Sequence, residues 1–507
     1  MTPELKSRMQ ELNIDIPLTL EILERLNDPA RKEPEPVKVS GIPGIDGKRV
    51  LDRRGDAPVE LSEETAARRL RELDLPEKIA ASGKKENGII RFSRRDLEEI
   101  GLALLPQVAY GVLNGGSASS YGDHKKNQGF SAPLFDLCRE PFERAAALCE
   151  GRAKGITPAF IHPDGTPGPS FMELKMRALL LRIRQYQRRY GKAGPLPLFP
   201  LFQMTSVLND GQIADALKEY ASSPLLAGLI AETGADITAV ETGIQPLVAA
   251  FTPGAPKEIF ATACGKSDEP LPFPGGHGQN FAVLKHIYRD LHGQGKKFVY
   301  LGNVDNLGNL PDLAGIALLA LSGKEGAFDF SFKTPVDVKG GILVEDQRGR
   351  LNCGDIGVAV PREEVEAREK EGTPILFNCA TGLFNLDALV SRLDDIIENL
   401  PLRTSIQDKD PGRYAQTEQV TWEVLGMLDD FLIYGVDKNE RFLASKLLLE
   451  NLLTSGIGLE DPQFPRDPDP AKDLHRMGEE LHRGLKGKLT GEFGLTLTKG
   501  RWEPVDL

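Results

Sequence analysis

Long apolar runs are missing from this chain of 507 residues. The longest, such as residues 313–321, has the length of a core helix and falls short of the roughly 20 residues that span a bilayer, so no membrane crossing is expected. The opening Met1-Thr2-Pro3-Glu4-Leu5-Lys6 lacks the apolar region of a secretory signal, and a cytoplasmic protein is expected. Cysteine is scarce: Cys138, Cys149, Cys264, Cys353 and Cys379 are scattered, odd in number and without a CxxC pair, which excludes a disulfide framework or a zinc site of ordinary spacing. Reduced, mostly buried thiols are expected instead. Positive charge is in deficit, with 62 Lys+Arg against 74 Asp+Glu and a net charge of -12. That argues against a general nucleic-acid binder and leaves room for a basic pocket inside a cleft. Internal repeats and low-complexity tracts are also absent. What remains is 40% apolar and 27% charged, ordinary for a globular protein with a sizeable core, and a length that suggests about three domains.

Residues 1–105 read as a polar, mainly helical region, with a proline-rich break over 29–38 and a charged amphipathic helix over 63–73. From residue 106 the pattern changes to apolar runs of strand length alternating with longer helical segments, the pattern of a mixed, mainly parallel α/β sheet flanked by helices. Strands are expected over 107–113, 196–204, 236–241, 297–302, 341–345 and 375–378, and helices over 171–190, 211–221, 280–291 and 311–321. This core is placed at 106–400, with a helical completion over 401–460 that includes 417–433 and 444–453. A short C-terminal element, 461–507, begins with a proline-rich loop and ends in a strand pair turning at Lys499-Gly500.

Several segments carry groups suited to phosphate chemistry. Strand 107–113 runs through Leu113 and Asn114 into Gly115-Gly116, then Ser117, Ser119, Ser120, Gly122 and Lys125-Lys126. Glycines let backbone N–H groups converge on an anion and lysines supply charge, although a plain exposed loop has the same composition. Gly275-Gly276-His277-Gly278 permits close backbone approach to a flat ring or phosphate, or forms an ordinary turn before a helix capped by Asn280. The strand over 297–302 ends in Asn303-Val304-Asp305-Asn306, which places a carboxylate where open α/β sheets bind ligands. One such Asp suits Mg²⁺ held partly by substrate phosphates, and an Asx-turn is the structural alternative. Lys333-Thr334, Asp337-Val338-Lys339-Gly340-Gly341 and Arg441 through Lys446 add further charges.

In this order the segments resemble the UTP–glucose-1-phosphate uridylyltransferase family, which includes the UDP-N-acetylhexosamine pyrophosphorylases. The family's L-x-G-G-x-G-T-x-[LM]-G loop is similar to Leu113 through Gly122, its P-P-G-H-G to Pro274 through Gly278, and its N-x-D-N-L-G to Asn303 through Gly308. Its K-T-x-x-D-V-K-G-G is similar to Lys333 through Gly341, and its R-F-x-P-V-K to Arg441 through Lys446. The resemblance covers about residues 106–456. It implies a GT-A-like, Rossmann-type nucleotidyltransferase core that joins UTP to a sugar 1-phosphate, forms a UDP-sugar, releases pyrophosphate and uses Mg²⁺. By resemblance, Leu113, Asn114, Gly115, Gly116 and Gly122 shape the nucleotide loop, while Gln245, Gly276, His277 and Asn303 lie beside the nucleotide. Lys126, Lys446 and Asp305 are the catalytic set, with Asp305 on the metal; Lys339 and Asn378 face the sugar phosphate. Nucleic acid and membrane partners are not implied.

Departures accompany the likeness. Ala118 and Ser119 replace the loop's third glycine and its threonine, and the lysine's place, beside Lys125 and Asn127, turns on a gap. If position 118 needs a positive φ, Ala118 strains the loop, and a binding protein without turnover becomes the alternative. The sugar-contact element survives only at Asn378, within Asn378-Cys379-Ala380-Thr381-Gly382. Glucose 1-phosphate is the expected acceptor, with N-acetylglucosamine 1-phosphate the alternative. A nicotinamide dehydrogenase is disfavoured because no GxGxxG opens a helix. After Lys446 a reduced C-terminal element is expected in place of the family's β-helix domain.

Overall fold

A computed structural model describes residues 1–31, 37–73, 75, 76, 79, 82–191, 197–334, 337, 339–470 and 472–505. Pro335, Val336 and Val338 of the lysine-rich motif and the first residue of the strand expected over 196–204 lie outside them. The core is one twisted sheet whose main path has eight strands: β1 (Val50–Asp52), β2 (Val108–Leu113), β3 (Leu201–Ser206), β4 (Glu241–Gln245), β5 (Phe298–Asn303), β6 (Gly326–Phe332), β7 (Leu376–Asn385) and β8 (Phe431–Val436). Their order is β1-β8-β6-β7-β5-β2-β3-β4, and every neighbouring pair is parallel except those made by β7. Three further strands, Val39–Gly41, Gly341–Asp346 and Leu351–Asp355, branch from β7.

β2, β3 and β8 are buried along their whole length, so they read as continuous apolar runs rather than alternating ones. The Phe171–Tyr190 and Leu313–Ser322 helices cover one face of the sheet with Phe171, Leu174, Ala178 and Ile316. The Asn280–Val283, Lys285–Gly293 and Leu386–Asn399 helices cover the other through Phe281, Ile287 and Leu393. This is the mixed, mainly parallel sheet between helix layers that the pattern implies.

Several elements differ from the sequence reading. The strand expected over 236–241 begins where that span ends, as β4. The span 417–433 is not a helix: it holds the end of the Gly412–Glu418 strand, a 3₁₀ segment at Thr421–Met427 and the start of β8. A short apolar run has no distinguishing period, and full burial of Phe431 through Val436 suits a central strand. β6 has the same character and escaped notice. The first hundred residues contain the expected helices, Pro3–Glu11, Ile16–Asn27, Glu63–Glu72 and Arg94–Ala103, and also a three-stranded sheet and β1, which joins the core sheet. At the other end the Leu474–Gly491 helix precedes the hairpin Leu495–Thr498 and Arg501–Pro504, whose turn residues Lys499 and Gly500 both have positive φ.

Candidate functional site

Because β7 runs against its neighbours, its first residues lie at the same edge as the carboxyl ends of the other strands. Leu113 pairs with Asn303 and with Met204, Ser206 with Gln245, and Phe330 with Asn378. The loops that leave this edge carry the candidate residues.

The glycine loop is held from beneath. Asn114 is fully buried and donates from Nδ2 to Gln203 Oε1 at 3.0 Å, and Asn209 donates to the Gly115 carbonyl at 2.9 Å. Gln245 donates from Nε2 to the Gly276 carbonyl at 2.7 Å and to Gln279 Oε1 at 2.9 Å, while its Oε1 lies 3.3 Å from where a Gly115 Cβ would stand. One amide therefore joins the loop after β2, the end of β4 and the Gly-His-Gly turn. Gly276 has φ +87°, and a Cβ there would lie 2.4 Å from the Gln419 carbonyl oxygen, so only glycine fits.

His277 is fixed by Thr421. The Thr421 backbone N–H donates to His277 Nδ1 at 3.1 Å, and the Thr421 hydroxyl donates to the His277 carbonyl at 3.0 Å. Accepting at Nδ1 makes the ring neutral with its proton on Nε2. Burial acts in the same direction, lowering its pKa to about 4. The imidazole is a hydrogen-bond donor here, not a cation.

Asp305 is met by a residue that sequence reading passed over. Lys154 Nζ lies 2.6 Å from Asp305 Oδ2, donates also to the Ser445 carbonyl, and stands 4.7 Å from the centre of the Tyr121 ring. The Lys154 and Asp305 side chains are only 12% and 20% exposed, so the pair sits in a partly desolvated cleft. Lys154 arrives there because residues 152–154 lie along the glycine loop: Ala118 N–H donates to the Arg152 carbonyl at 2.9 Å and Lys154 N–H to the Gly116 carbonyl at 3.0 Å. Gly155 follows because a Cβ there would collide with Asn114 Oδ1 at 2.0 Å. The Lys154-Gly155 pair was the available signal, hidden because the helices His124–Phe130, Ala132–Leu137 and Arg139–Cys149 separate it from the glycine loop.

The loop carrying Asp305 is strapped to the segment carrying Lys446. Asn306 donates to the Arg441 carbonyl at 3.0 Å and accepts from Leu443 N–H at 3.0 Å, and Asn306 forms a β-bridge with Ala444. Lys175, fully buried on the Phe171–Tyr190 helix, donates to the Asn306 and Asn309 carbonyls at 2.8 and 3.0 Å from below, and burial lowers its pKa to about 7. Lys446 is exposed one residue beyond the Ser445 carbonyl that Lys154 holds.

The other expected residues divide. Asn303 ends β5 beside Leu113, as required. Gly122 follows the buried Tyr121 under the loop. Lys126 is exposed on the His124–Phe130 helix, its Nζ bonded to Ser120 Oγ at 2.7 Å and not to Asp305. Lys339 is exposed and makes no hydrogen bond or ion pair among the described residues, whereas Asp337 pairs with Lys438 and Lys333 with Glu369. Asn378 contacts Cys353 Sγ at 3.6 Å and accepts from Ala380 N–H at 2.9 Å. Ala118 has no positive φ, and its methyl is buried with Tyr121 and Leu134, so the expected loop strain does not arise. Asp305 offers one carboxylate, and no group of three His, Cys, Asp or Glu side chains gathers among the described residues. That donor set fits Mg²⁺ shared with substrate phosphates and does not fit a metal held by protein alone. Among the described residues no helix is long and apolar enough to cross a membrane.

The core is thus an α/β fold: a mainly parallel sheet with one reversed strand, carrying a glycine loop after β2 and a lone Asp after β5. Residues 255–455 match the family model of UTP–glucose-1-phosphate uridylyltransferase. A probable UTP–glucose-1-phosphate uridylyltransferase from Schizosaccharomyces pombe is 26% identical over 284 residues, covering 54% of this chain and 51% of that one. The enzyme from Astragalus penduliflorus is 28% identical over 191 residues, or 37% and 40% of the two chains. The chain thus spans about half or less of the length of these curated relatives. Among solved structures, a mutant UDP-glucose pyrophosphorylase from Leishmania major in complex with its UDP-sugar superposes with TM-score 0.56 at 16% identity, over 89% of this chain and 78% of that one. A UDP-N-acetylglucosamine pyrophosphorylase from Trypanosoma brucei gives TM-score 0.53 at 17% identity, over 78% and 80%. The structural likenesses establish the fold. Over residues 255–455 the chain is similar to the UTP–glucose-1-phosphate uridylyltransferase family.

Proposed function

We propose that the chain is a Mg²⁺-dependent UTP:sugar-1-phosphate uridylyltransferase, with glucose 1-phosphate as its acceptor. The observation that carries this reading is the Lys154–Asp305 pair at the end of β5, between the Gly115-Gly116 loop and the Ser445-Lys446 segment. Two polyanions must meet in line, so the work is positioning and charge neutralisation rather than covalent catalysis. A phosphate oxygen of the sugar 1-phosphate attacks the UTP α-phosphorus. The bond from that phosphorus to the oxygen bridging the β-phosphate breaks, and its electron pair leaves with pyrophosphate.

Bound Mg²⁺ would neutralise the α-phosphate oxygens, with Asp305 as its protein ligand. Lys154, beside Asp305, would supply its ammonium to the phosphates, and Lys446 would add charge from the adjoining segment. Gln245 and the Gly115 and Gly276 backbones form the rim on which the uracil ring lies flat. His277 donates from Nε2 to a phosphate or sugar oxygen, and Asn378 offers its amide to a sugar hydroxyl. Without strain at Ala118, the alternative of a binding protein lacking turnover loses its support. The fold likeness to the UDP-N-acetylglucosamine enzyme keeps that sugar as the second acceptor to be tested. A coupled pyrophosphate-release assay with UTP and a panel of hexose 1-phosphates should show glucose 1-phosphate turned over fastest, and only with Mg²⁺. Absence of turnover with every hexose 1-phosphate would refute the enzyme reading.

A further inference from the structure

One buried side chain of the glycine loop differs in kind from the motif that the loop resembles. Where the motif has Leu or Met, this chain has Tyr121. The side chain is 2% exposed and packs in a cluster with Ala118, Leu134, Phe135, Cys149 and Leu449. An aliphatic residue fills such a place as well, so burial alone does not call for an aromatic one.

The chemistry of Tyr121 lies in its ring and not in its hydroxyl. The hydroxyl is buried without a hydrogen-bond partner, a cost that Leu, Met or Phe would avoid. Burial also holds the hydroxyl well above its ordinary pKa, so it stays neutral and brings no negative charge to its surroundings. The ring face, in contrast, has an ion against it. Lys154 Nζ stands 4.7 Å from the ring centre, within the roughly 6 Å over which an aromatic quadrupole attracts a cation. The Lys154 side chain is only 12% exposed, and partial desolvation strengthens that attraction.

The backbone of Tyr121 ties the ring to the rest of the site. Its carbonyl accepts from Leu448 N–H at 3.0 Å and from Asn127 Nδ2 at 2.9 Å, and Asn127 Oδ1 accepts from Leu449 N–H at 2.8 Å. These bonds pin Tyr121 to the segment just past Lys446, the segment whose Ser445 carbonyl accepts from Lys154. A lysine ammonium is a point charge on a flexible four-carbon stem and has no orientation of its own. Asp305 and the Ser445 carbonyl hold it from two directions, and the ring adds a third. Unlike the Asp305 carboxylate, the ring is not a group that a divalent metal would also claim.

We propose that Tyr121 is a positioning residue for Lys154: its ring face fixes the ammonium beside Asp305, where transfer between two phosphates needs positive charge, and an aliphatic side chain at this place cannot do so. The catalytic consequence rests on the uridylyltransferase reading. The contact between ring and ammonium does not.

Kinetics of Tyr121→Leu, Tyr121→Met and Tyr121→Phe in the pyrophosphate-release assay test the consequence. A cation–π contact in a partly desolvated site is worth about fivefold to thirtyfold in rate. Tyr121→Leu and Tyr121→Met should lose that factor in kcat, with the KM for UTP changed less, and Tyr121→Phe, which keeps the ring, should return most of the rate. Full kcat in the aliphatic variants, or a Phe variant as slow as they are, overturns the proposal. Denaturant melts of Tyr121→Leu, Lys154→Met and the double variant test the contact without substrate. The double variant should lose clearly less stability than the two single losses added together, and strict additivity overturns the proposal. Should Tyr121→Leu fold poorly, Tyr121→Met takes its place in both measurements. An unmodified chain without turnover refutes the uridylyltransferase reading, and the melts then decide by themselves whether the ring holds Lys154.

Discussion

At the scale of single residues, the division of labour between Lys154 and Lys126 is directly measurable. Lys154 touches Asp305, and Lys126 bonds through Nζ to Ser120 at the loop's outer side. Removing one preorganised donor from an oxyanion-stabilising site lowers kcat by about 10²–10³-fold, the scale to expect on the proposed activity. Lys154→Met should show that loss in the pyrophosphate-release assay, and Lys126→Met a loss of less than about tenfold; the reverse ranking would return the role to Lys126. His277 supports a second prediction. Its folded pKa of about 4 lies below the ordinary 6.5, so the unfolded chain binds a proton that the fold refuses. Stability should therefore fall as pH drops from 6.5 towards 4, by at most about 3 kcal/mol from this group. His277→Gln should flatten the melting temperature across that window, and an equally steep fall in the variant would exclude His277 as the source. Asp305, His277 and the glycines of the candidate site could be read from the sequence because each lies within a short local turn. Lys154 could not, because three inserted helices separate it from the loop it completes.

At the scale of elements, the long Phe171–Tyr190 helix does more than cover the sheet: Lys175 on its buried face fastens the Asp305 loop through two carbonyls. The helix itself was plain from its apolar stripe, and nothing in that stripe announced a lysine pointing inward. Strands such as β6 and β8 were harder to read, since a fully buried strand has neither of the two periods that betray an element. With the Lys175 pKa lowered from 10.5 to about 7, the unfolded chain binds the extra proton between those values, and stability should rise with pH through that window. The slope is at most about 1.4 kcal/mol per pH unit. Denaturant melts at pH 7 and pH 9 should show the rise in the unmodified chain and not in Lys175→Met. That variant should also lose kcat more than affinity for UTP, because the loop holding Asp305 is no longer braced. A variant with the same pH slope as the parent would exclude Lys175 as the titrating group.

At the scale of the whole molecule, packing runs across the regions drawn from composition. β1, from the first hundred residues, pairs with β8 at the sheet's edge, so the polar opening region supplies part of the core sheet. The C-terminal element is tied in just as firmly. Leu485, Leu489, Phe493 and Leu495 are buried in the same cluster as Phe171 and Leu174. Arg177, also buried, donates to the Phe493 and Gly494 carbonyls at 2.6 and 3.1 Å. Deleting residues 461–507 uncovers those side chains' partners at roughly 1.5–3 kcal/mol each and leaves a buried guanidinium short of acceptors. The combined loss is comparable with the roughly 5–15 kcal/mol that holds a typical domain together. The truncated chain should therefore lose its cooperative thermal transition, measured by circular dichroism, or fail to accumulate as folded protein. If it instead melts within a few degrees of the full chain, the last helix and hairpin are a separable appendage, and the buried contacts of Leu485, Leu489, Phe493 and Leu495 are not needed by the core.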